Sequence, residues 1–252
     1  MLIRTGSGEG ASRELALISH RGGKGFGPEN TLQALQAALD HGVEMVETDV
    51  RMTADRVPVI HHSPFIGLHL ISRMDADELA EKAPEVPTLE AFLTLAADRC
   101  AVNLEVKKCD ADVLAATIAG AALAHPILVS SFDAEFLRDF RETASGAELG
   151  LLSQYELTAE RMLRDAERCG ATTLLPASFT VRRNLVEEAH TAGARVIAWT
   201  VNSTQLLGEM VAAGVDGIIT DAYSEMKSFL EAAPGIREAA EAVAACGADN
   251  PA

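Results

Sequence analysis

The sequence predicts an α/β protein that forms a single (β/α)8 barrel of the TIM type. Short apolar runs alternate with segments of helical periodicity, and this alternation repeats eight times along the chain. Gly170, Gly193 and Gly214 each stand between a predicted helix and the next predicted strand, where glycine commonly ends a helix. The length of 252 residues also suits a barrel, which typically contains about 250 residues.

An open Rossmann-like sheet is the alternative fold. Such a sheet would carry a GxGxxG turn after its first strand, leading directly into a helix. The glycine-rich stretch from Gly22 to Gly27 is followed instead by Pro28, which interrupts a smooth helix start. The closed barrel therefore explains the pattern better.

The strands are predicted from short runs of apolar residues. The first strand is predicted at residues 15–19, which end at His20, and the second at 43–50, where apolar and acidic residues alternate. A short extended segment follows at 58–61. The remaining strands are predicted at 101–106, 127–130, 148–152, 172–175, 195–201 and 216–220.

The helices are predicted from apolar residues that recur every three or four positions. The first is expected at 30–41, where Gly42 follows as a stop, and the second at 87–99, where Pro87 and Thr88 open it. The remaining helices are predicted at 110–124, 134–143, 158–169, 182–192, 204–213 and 224–232. The barrel domain then spans 15–233, between an N-terminal extension at 1–14 and an Ala-rich tail at 234–252.

Composition and charge exclude several classes of partner. The 21 Lys and Arg against 37 Asp and Glu give a formal net charge of −16. This surplus of negative charge argues against nucleic acid and against stable association with an anionic membrane, but a small phosphorylated ligand remains possible in a locally positive cleft. The four cysteines form no CxxC pair, and the first 14 residues lack the apolar core of a signal peptide. We therefore expect reduced thiols and a cytoplasmic protein.

Acidic residues on two predicted strands indicate a metal site. Glu47 and Asp49 are two residues apart on the second strand, so both side chains point to one face, and Glu105 lies on the next barrel strand. Carboxylates that converge inside a barrel repel one another unless a cation compensates, and oxygen ligands suit Mg²⁺, Ca²⁺ or Mn²⁺. If Glu47 and Asp49 are considered alone, they are better interpreted as the polar positions of a half-exposed strand. Glu105 and the two histidines at equivalent strand ends favour a metal site instead.

Two histidines at predicted strand ends are candidates for acid and base catalysis. The unperturbed imidazole pKa of ~6.5 suits that chemistry, and His20 and His62 both follow extended segments. His61 and His62 point to opposite sides, so at most one of them faces the site. The other histidines are interpreted as ordinary core or loop residues: His41, His69, His125 and His190.

Two further features have both a structural and a functional interpretation. The glycine-rich stretch after Arg21 lacks the GK[ST] ending of a P-loop, yet its backbone and Arg21 could approach a phosphate. Trp199, the single tryptophan, is equally compatible with barrel packing and with an apolar wall for substrate.

Taken together, these motifs resemble the glycerophosphodiester phosphodiesterase family. The matching stretches run in order through nearly the whole barrel. They are His20-Arg21-Gly22, Pro28-Glu29-Asn30-Thr31, Glu47-Thr-Asp49, Pro58-Val-Ile-His-His62, Pro87-Thr88-Leu89-Glu90, Glu105-Val-Lys107, Trp199-Thr-Val-Asn202 and Gly214-Val-Asp-Gly-Ile-Ile-Thr-Asp221.

The resemblance implies metal-dependent hydrolysis of a glycerophosphodiester to sn-glycerol 3-phosphate and an alcohol. It assigns the acid and base roles to His20 and His62, and the residues implied to bind one divalent cation, Mg²⁺ or Ca²⁺ with Mn²⁺ possible, are Glu47, Asp49 and Glu105. The remaining implied roles are phosphate or substrate contact by Arg21, Lys107 and Trp199, and support of the first loop by Glu29 and Asn30.

The chain departs from the family pattern at two places. Ser63 follows the second histidine, where the family usually has Asp, and the capping insertion after the second strand, residues 63–86, is short and lacks the usual Leu-x-Arg-Thr pattern. Because that cap forms part of the pocket, the alternatives are a phosphodiesterase acting on a sugar phosphodiester or a lysophospholipid, or a catalytically silent phosphate-binding barrel.

Overall fold

The computed structural model describes residues 15–143, 146–156 and 158–232. The predicted N-terminal extension and Ala-rich tail lie outside these residues, as do residue 233 and Cys246. The strands are β1 Ala16–Ser19, β2 Met45–Met52, β3 Pro58–Ile60, β4 Phe65–Ile66, β5 His69–Leu70, β6 Ala101–Val106, β7 Ile127–Ser131, β8 Glu148–Ser153, β9 Thr173–Pro176, β10 Arg195–Ala198 and β11 Gly217–Thr220. The helices are α1 Leu32–Asp40, α2 Ala76–Lys82, α3 Leu89–Ala96, α4 Ala111–Gly120, α5 Ala134–Arg141, α6 Ala159–Cys169, α7 Arg183–Thr191, α8 Thr204–Ala213 and α9 Tyr223–Ala232.

Eight of the strands form a closed parallel barrel, which confirms the predicted fold. Strands β1, β2 and β6 to β11 follow one another in the sheet, and β1 pairs with both β2 and β11, so the barrel has no open edge. Strand β3 pairs antiparallel with the upper part of β2, with Val50 opposite Ile60. This pairing returns the chain from the top of β2 to the mouth of the barrel.

The barrel is filled by one apolar layer in its lower half and by polar side chains above it. Side chains alternate between the inner and outer face of each strand. The inner apolar residues are Ile18, Met45, Ala101, Leu128, Leu152, Leu175, Ile197 and Ile219, all 6% exposed or less. On β2 the next inward positions are Glu47 and Asp49, so the alternation places both carboxylates on the inner face, above this layer.

Two helices begin later than the periodicity predicts because a threonine caps each of them. The Thr31 hydroxyl accepts a hydrogen bond from the Ala34 N–H at 3.2 Å, and the Thr88 hydroxyl accepts one from the Ala91 N–H at 3.2 Å. The helices therefore start at Leu32 and Leu89.

The predicted insertion after the second strand forms a small unit with its own core. It contains the β4–β5 hairpin and α2, and its apolar side chains pack against β3. The buried members of this cluster are Val59, Ile71, Met74, Leu79 and Ala83. The insertion begins at Ser63, directly after His62, and therefore stands at the C-terminal end of the barrel.

Two properties of the described residues bear on the sequence predictions. The three cysteines among them, Cys100, Cys109 and Cys169, are buried free thiols. None of the helices in these residues is long and apolar enough to span a lipid bilayer.

Candidate active site

Three carboxylates form a buried acidic cluster, which consists of Glu47, Asp49 and Glu105. The parallel pairing of β2 with β6 sets Asp49 beside Glu105 and Glu47 beside Asn103. One oxygen from each carboxylate lies within 4.8 Å of the others, and the residues are only 1%, 1% and 8% exposed. The strand register thus creates the cluster that the sequence predicts.

Burial and mutual repulsion destabilise the ionised form of this cluster. Burial, together with the charges of Asp49 and Glu105, raises the pKa of Glu47 well above its usual value. Burial also raises the pKa of Glu105, although the Lys107 charge opposes that effect. Two of the three carboxyl groups therefore hold their protons more tightly than carboxyl groups in water.

Asp49 behaves differently because it has more partners. Burial alone would raise its pKa, but a hydrogen bond with His62 and the charge of Lys107 lower it below the usual range. The Asn30 amide donates to Asp49 Oδ2 at 2.8 Å, and Lys107 Nζ lies 3.2 Å from Asp49 Oδ1. Lys107 also forms an ion pair with Glu105. Its ammonium group thus lies between two acids.

Each candidate histidine lies against one member of the acidic cluster, His20 against Glu47 and His62 against Asp49, and an aspartate holds each ring through Nδ1. His20 Nδ1 is 2.6 Å from Asp221 Oδ1, and His62 Nδ1 is 3.0 Å from Asp49 Oδ1. In each ring Nε2 is directed into the site, because His20 Nε2 lies 3.7 Å from Glu47 Oε2 and His62 Nε2 lies 3.1 Å from Arg21 Nη2. His61 turns away and contacts the Phe65 carbonyl.

Arg21 connects these groups at the mouth of the barrel. Its backbone N–H donates to Glu47 Oε2 at 2.9 Å, and its Nη1 donates to both carboxylate oxygens of Glu29, at 2.8 and 3.0 Å. Arg21 has φ = 48° and Asn30 has φ = 59°, a backbone region that non-glycine residues rarely adopt. Such strain of about 1–3 kcal/mol per residue is typical of functional sites.

The glycine-rich stretch after Arg21 serves close packing. A Cβ atom on Gly23 would lie 2.7 Å from the Ala34 carbonyl oxygen, and one on Gly25 would lie 2.6 Å from the Asp221 carbonyl oxygen. These glycines let the loop pass tightly between α1 and the end of β11, and this packing holds Arg21 over the acidic cluster.

Trp199 and Lys107 both contact the ring of Phe132 at the C-terminal end of the barrel. The indole N–H donates to the Leu175 carbonyl at 2.7 Å, and the indole ring packs edge to face against Phe132 at 5.6 Å. Lys107 Nζ lies 5.7 Å from the centre of the same Phe132 ring. Since the indole N–H is already bonded, only the ring of Trp199 is available to a ligand.

The chain is similar to proteins of one known family. The sequence pattern of the glycerophosphoryl diester phosphodiesterase family matches residues 20–225. A glycerophosphodiester phosphodiesterase of Caldanaerobacter subterraneus subsp. tengcongensis is 31% identical over 228 residues, which cover 81% of this chain and 93% of the relative. A probable glycerophosphodiester phosphodiesterase 2 of Mycobacterium tuberculosis is 31% identical over 84% of this chain and 89% of its own. The chain belongs to this family.

Solved structures agree with the assignment to the glycerophosphodiester phosphodiesterase family. An Oleispira antarctica phosphodiesterase, determined with its product sn-glycerol-3-phosphate, superposes with a TM-score of 0.77 at 25% identity over 85% of this chain and 96% of that one. A Silicibacter pomeroyi family member superposes with a TM-score of 0.76 at 25% identity, over 88% and 94% of the two chains. The predicted family, the barrel and the prediction of an enzyme of this phosphodiesterase type are thereby confirmed.

Within this family member, the acidic cluster fits the divalent cation that the resemblance implies. Glu47 Oε1 is buried and has no hydrogen-bond partner among the described residues, and the donor set consists only of carboxylate oxygens. A hard cation such as Mg²⁺ or Ca²⁺ takes such ligands, and it would relieve the repulsion that raises the pKa values of Glu47 and Glu105.

Sequence reasoning missed two residues of this site, Asp221 and Asn202. Asn202 Nδ2 donates to Asp221 Oδ2 at 2.9 Å, and the Asp221 N–H donates back to Asn202 Oδ1 at 2.8 Å, which fixes the carboxylate that holds His20. The hydrogen bond from His20 is the largest influence that lowers the pKa of Asp221. Both residues were visible in the motifs, but their contact with His20 requires the closed barrel.

One departure from the family pattern, Ser63, has a local explanation in the structure. The Ser63 hydroxyl accepts a hydrogen bond from the Phe65 N–H at 3.0 Å, while Asp49 holds the Nδ1 of His62. Ser63 therefore stabilises the turn into the β4–β5 hairpin, and the support of His62 comes from the barrel itself.

Proposed function

We propose that this chain hydrolyses glycerophosphodiesters to sn-glycerol 3-phosphate and an alcohol. In this proposal His20 and His62 act as general acid and base, and Glu47, Asp49 and Glu105 bind one divalent cation. The observation that carries it is the pair of aspartate-held imidazoles in contact with a buried cluster of three carboxylates. The family membership of the chain and the product bound to the Oleispira antarctica relative support it.

The two imidazoles would move protons at their Nε2 atoms. With Nδ1–H donated to Asp49 or Asp221, Nε2 of a neutral ring carries the lone pair that would accept a proton from the attacking hydroxyl of water or of the substrate. At His62 this lone pair faces Arg21 Nη2, 3.1 Å away, so a proton could be accepted there only after Arg21 Nη2 turns to the phosphate. The other ring, protonated at Nε2, would give its proton to the departing alkoxide. Acid and base catalysis of this kind typically contributes ~10²–10⁴-fold to the rate.

The cationic side chains would bind and orient the phosphate. Arg21 lies between Glu29 and His62, and Lys107 lies at the edge of the acidic cluster, so both can face a phosphoryl group at the mouth. When bound at the acidic cluster, a divalent cation supplies further stabilisation of the negative charge that develops on the phosphoryl oxygens. Asn30 and Thr48 would keep Asp49 in position, since Thr48 donates to Asn30 and Asn30 donates to Asp49.

The test combines turnover and cation binding. Glycerophosphocholine is incubated with the protein, and release of glycerol 3-phosphate is measured before and after treatment with EDTA, then with Mg²⁺, Ca²⁺ or Mn²⁺ added back. Calorimetric titration of the EDTA-treated protein with each ion measures binding independently of activity. We expect turnover that EDTA abolishes and that an added ion restores.

A matched pair of variants locates the cation. Glu47→Gln should abolish the calorimetric signal, whereas Glu148→Gln, at the opposite end of the same barrel, should leave it unchanged. Turnover that persists in EDTA, or an equal effect of the two variants, would contradict the cation assignment. Failure to release glycerol 3-phosphate with any ion would favour the silent phosphate-binding barrel.

A further inference from the structure

Asn103 is a buried amide in the interior of the barrel. It lies on the inner face of β6, two residues after Ala101 of the apolar layer and two residues before Glu105 of the acidic cluster. The residue is 1% exposed, and its Nδ2 atom has no hydrogen-bond partner among the described residues. Most buried polar side-chain atoms in proteins are hydrogen-bonded, so an unpaired donor at this depth indicates a role other than packing.

A hydrogen bond from Ser130 sets the direction of this amide. The Ser130 hydroxyl, on β7, donates to Asn103 Oδ1 at 2.8 Å. The oxygen and the nitrogen of an amide diverge from the same carbon atom, so Nδ2 is directed away from Ser130. Strand β6 lies between β7 and β2, and the residue of β2 that pairs with Asn103 is Glu47. The unpaired donor therefore faces the side of the barrel that carries Glu47.

Glu47 provides the complementary unpaired atom. Its Oε2 accepts a hydrogen bond from the Arg21 N–H at 2.9 Å and lies 3.7 Å from His20 Nε2, whereas its Oε1 is buried without a hydrogen-bond partner among the described residues. Only four buried side-chain nitrogen or oxygen atoms of the described residues lack such a partner. Two of them, a donor and an acceptor, thus stand at paired positions of neighbouring strands.

An amide donor suits a carboxylate that binds a cation. A carboxylate oxygen has more than one lone pair, so it can bind a cation and still accept a hydrogen bond. An amide N–H carries no net charge and therefore does not compete with the cation, as an ammonium group would, while an acceptor at this position would add to the repulsion within the acidic cluster. Hydrogen bonds to the ligands of a metal ion fix their orientation and strengthen binding.

We propose that Asn103 is a positioning residue for the divalent cation. In the cation-loaded protein its Nδ2 donates to the Glu47 carboxylate and holds that carboxylate in the orientation that binds the ion, while Ser130 keeps the amide turned the right way. Asn103 lies below the acidic cluster, so it acts through Glu47 and not on the substrate. This inference rests on the proposed function, because it requires a cation at the acidic cluster.

The test measures cation affinity in a variant that lacks the donor. Asn103→Leu replaces the amide by an apolar group of similar size. Calorimetric titration of the EDTA-treated protein with Mg²⁺, Ca²⁺ or Mn²⁺ gives a Kd for each ion, and the ion that binds the parent protein most tightly is used for the comparison. We expect Kd to rise by about 10- to 100-fold, as is usual when a group that supports a metal ligand is removed.

Turnover distinguishes positioning from a direct part in catalysis. Release of glycerol 3-phosphate from glycerophosphocholine is measured over a range of concentrations of the same ion. In Asn103→Leu the ion concentration that gives half-maximal turnover should rise together with Kd. At saturating ion, kcat should return to within about threefold of the parental value with KM for glycerophosphocholine unchanged, because the substituted side chain does not touch the substrate.

Two serine variants complete the test. Ser130→Ala removes the hydroxyl that fixes the Asn103 amide, and it should raise Kd by about two- to fivefold, the effect of one ordinary hydrogen bond. Ser131→Ala is the matched control, because Ser131 is the next residue of β7, is equally buried and donates to the Val106 carbonyl. Its side chain points to the outer face of the strand, so Kd should not change. Thermal melting of each EDTA-treated variant verifies the fold.

Three results would overturn the inference. A Kd that is unchanged in Asn103→Leu would leave the amide with a packing role alone, a higher KM at unchanged Kd would place it against the substrate, and an equal rise of Kd in Ser131→Ala would indicate a general loss of barrel geometry. If Asn103→Leu does not fold, Ser130→Ala decides, and an unchanged Kd in that variant overturns the inference. Equal cation binding by the parent and Asn103→Leu defeats this inference alone, whereas a parent protein that binds no ion also defeats the proposed function.

Discussion

At the N-terminal end of the barrel, the Arg195 guanidinium forms an ion pair with Glu148 and donates to the Thr173 hydroxyl at 3.0 Å. At the C-terminal end, Lys107 pairs with two of the three buried carboxylates, Asp49 and Glu105, and Glu47 Oε1 has no hydrogen-bond partner among the described residues. One apolar layer separates the two ends. The same fold thus pairs a charge at one end and brings mutually repelling carboxyl groups together at the other.

The difference teaches where stability and function lie in this barrel. Groups at the N-terminal end satisfy one another within the chain, so their removal should lower stability and leave activity alone. Groups at the C-terminal end repel one another, so some of their replacements should raise stability and abolish activity. The predictions that follow test this contrast.

The largest effect is expected from the histidines. His20→Ala and His62→Ala should each lower kcat by ~10²–10⁴-fold, because each removes one of the two groups proposed to transfer protons. Their melting temperatures should stay close to that of the parent protein, since neither side chain is part of the apolar core. Near-parental turnover in both variants would reject the acid–base assignment.

The next effect concerns the aspartate that holds His20. Asp221→Asn should lower kcat by about 10- to 100-fold with little change in KM, because it removes the carboxylate that orients the ring. Asp216→Asn is the matched control, since Asp216 Oδ2 lies 2.9 Å from His190 Nε2 near the N-terminal ends of the strands. It should leave kcat unchanged. A similar fall in kcat for both variants would indicate a general structural effect.

The pH dependence of stability should reflect the raised pKa of Glu47 and Glu105. A carboxyl group with a higher pKa in the folded state stabilises the fold when protonated, and this contribution is lost as the pH rises from the unfolded value of ~4.3 through the folded value. The melting temperature of the EDTA-treated protein should therefore fall relative to that of the cation-loaded protein as the pH rises from 5 to 8. Glu47→Gln should raise the free energy of unfolding by ~0.5–2 kcal/mol at neutral pH without cation.

Two aspartates contribute in the opposite sense. The pKa values of Asp49 and Asp221 are lowered in the folded protein, so their stabilisation is present above the unfolded value of ~3.9 and is lost as the pH falls through the folded values. Acid denaturation monitored by circular dichroism should begin at a higher pH in Asp221→Asn than in the parent.

The prediction for Glu47 and Glu105 has a contradicting outcome of its own. If the difference in melting temperature between cation-loaded and EDTA-treated protein does not grow as the pH rises, the assignment of the cation to the acidic cluster is wrong.

The smallest effect is expected at the N-terminal end. Arg195→Met should lower the free energy of unfolding by ~1–2 kcal/mol, because it removes the partner of Glu148 and the hydrogen bond to Thr173. Its kcat and KM for glycerophosphocholine should stay within twofold of the parental values. Urea denaturation and steady-state kinetics on one preparation measure both. A large loss of turnover would show that the two ends are coupled.

The acidic cluster could be predicted from sequence because it depends on local rules. The spacing of Glu47 and Asp49 fixes one inward face of β2, and the consecutive order of barrel strands places Glu105 beside them. The predicted helix starts were less accurate. The Thr31 and Thr88 caps place the first helical residue later in the chain than the apolar periodicity alone predicts.

The contact between His20 and Asp221 could not be predicted by the same rules. The two residues are 201 positions apart, and they meet only because β11 closes the barrel against β1. The ion-pair partners of Lys107 could not be predicted either. The sequence indicates that the Lys107 side chain lies near a phosphate, but not that its ammonium group pairs with both Asp49 and Glu105.

The seam between β1 and β11 has a consequence for protein synthesis. Ile18 and Ile219 pair across this seam, directly below His20 and Asp221. A growing polypeptide acquires β11 only after all other barrel strands have left the ribosome, so until then one of its two imidazoles lacks the carboxylate that orients it. If His20 acts as proposed, the catalytic end would therefore be complete only when β11 has joined the sheet.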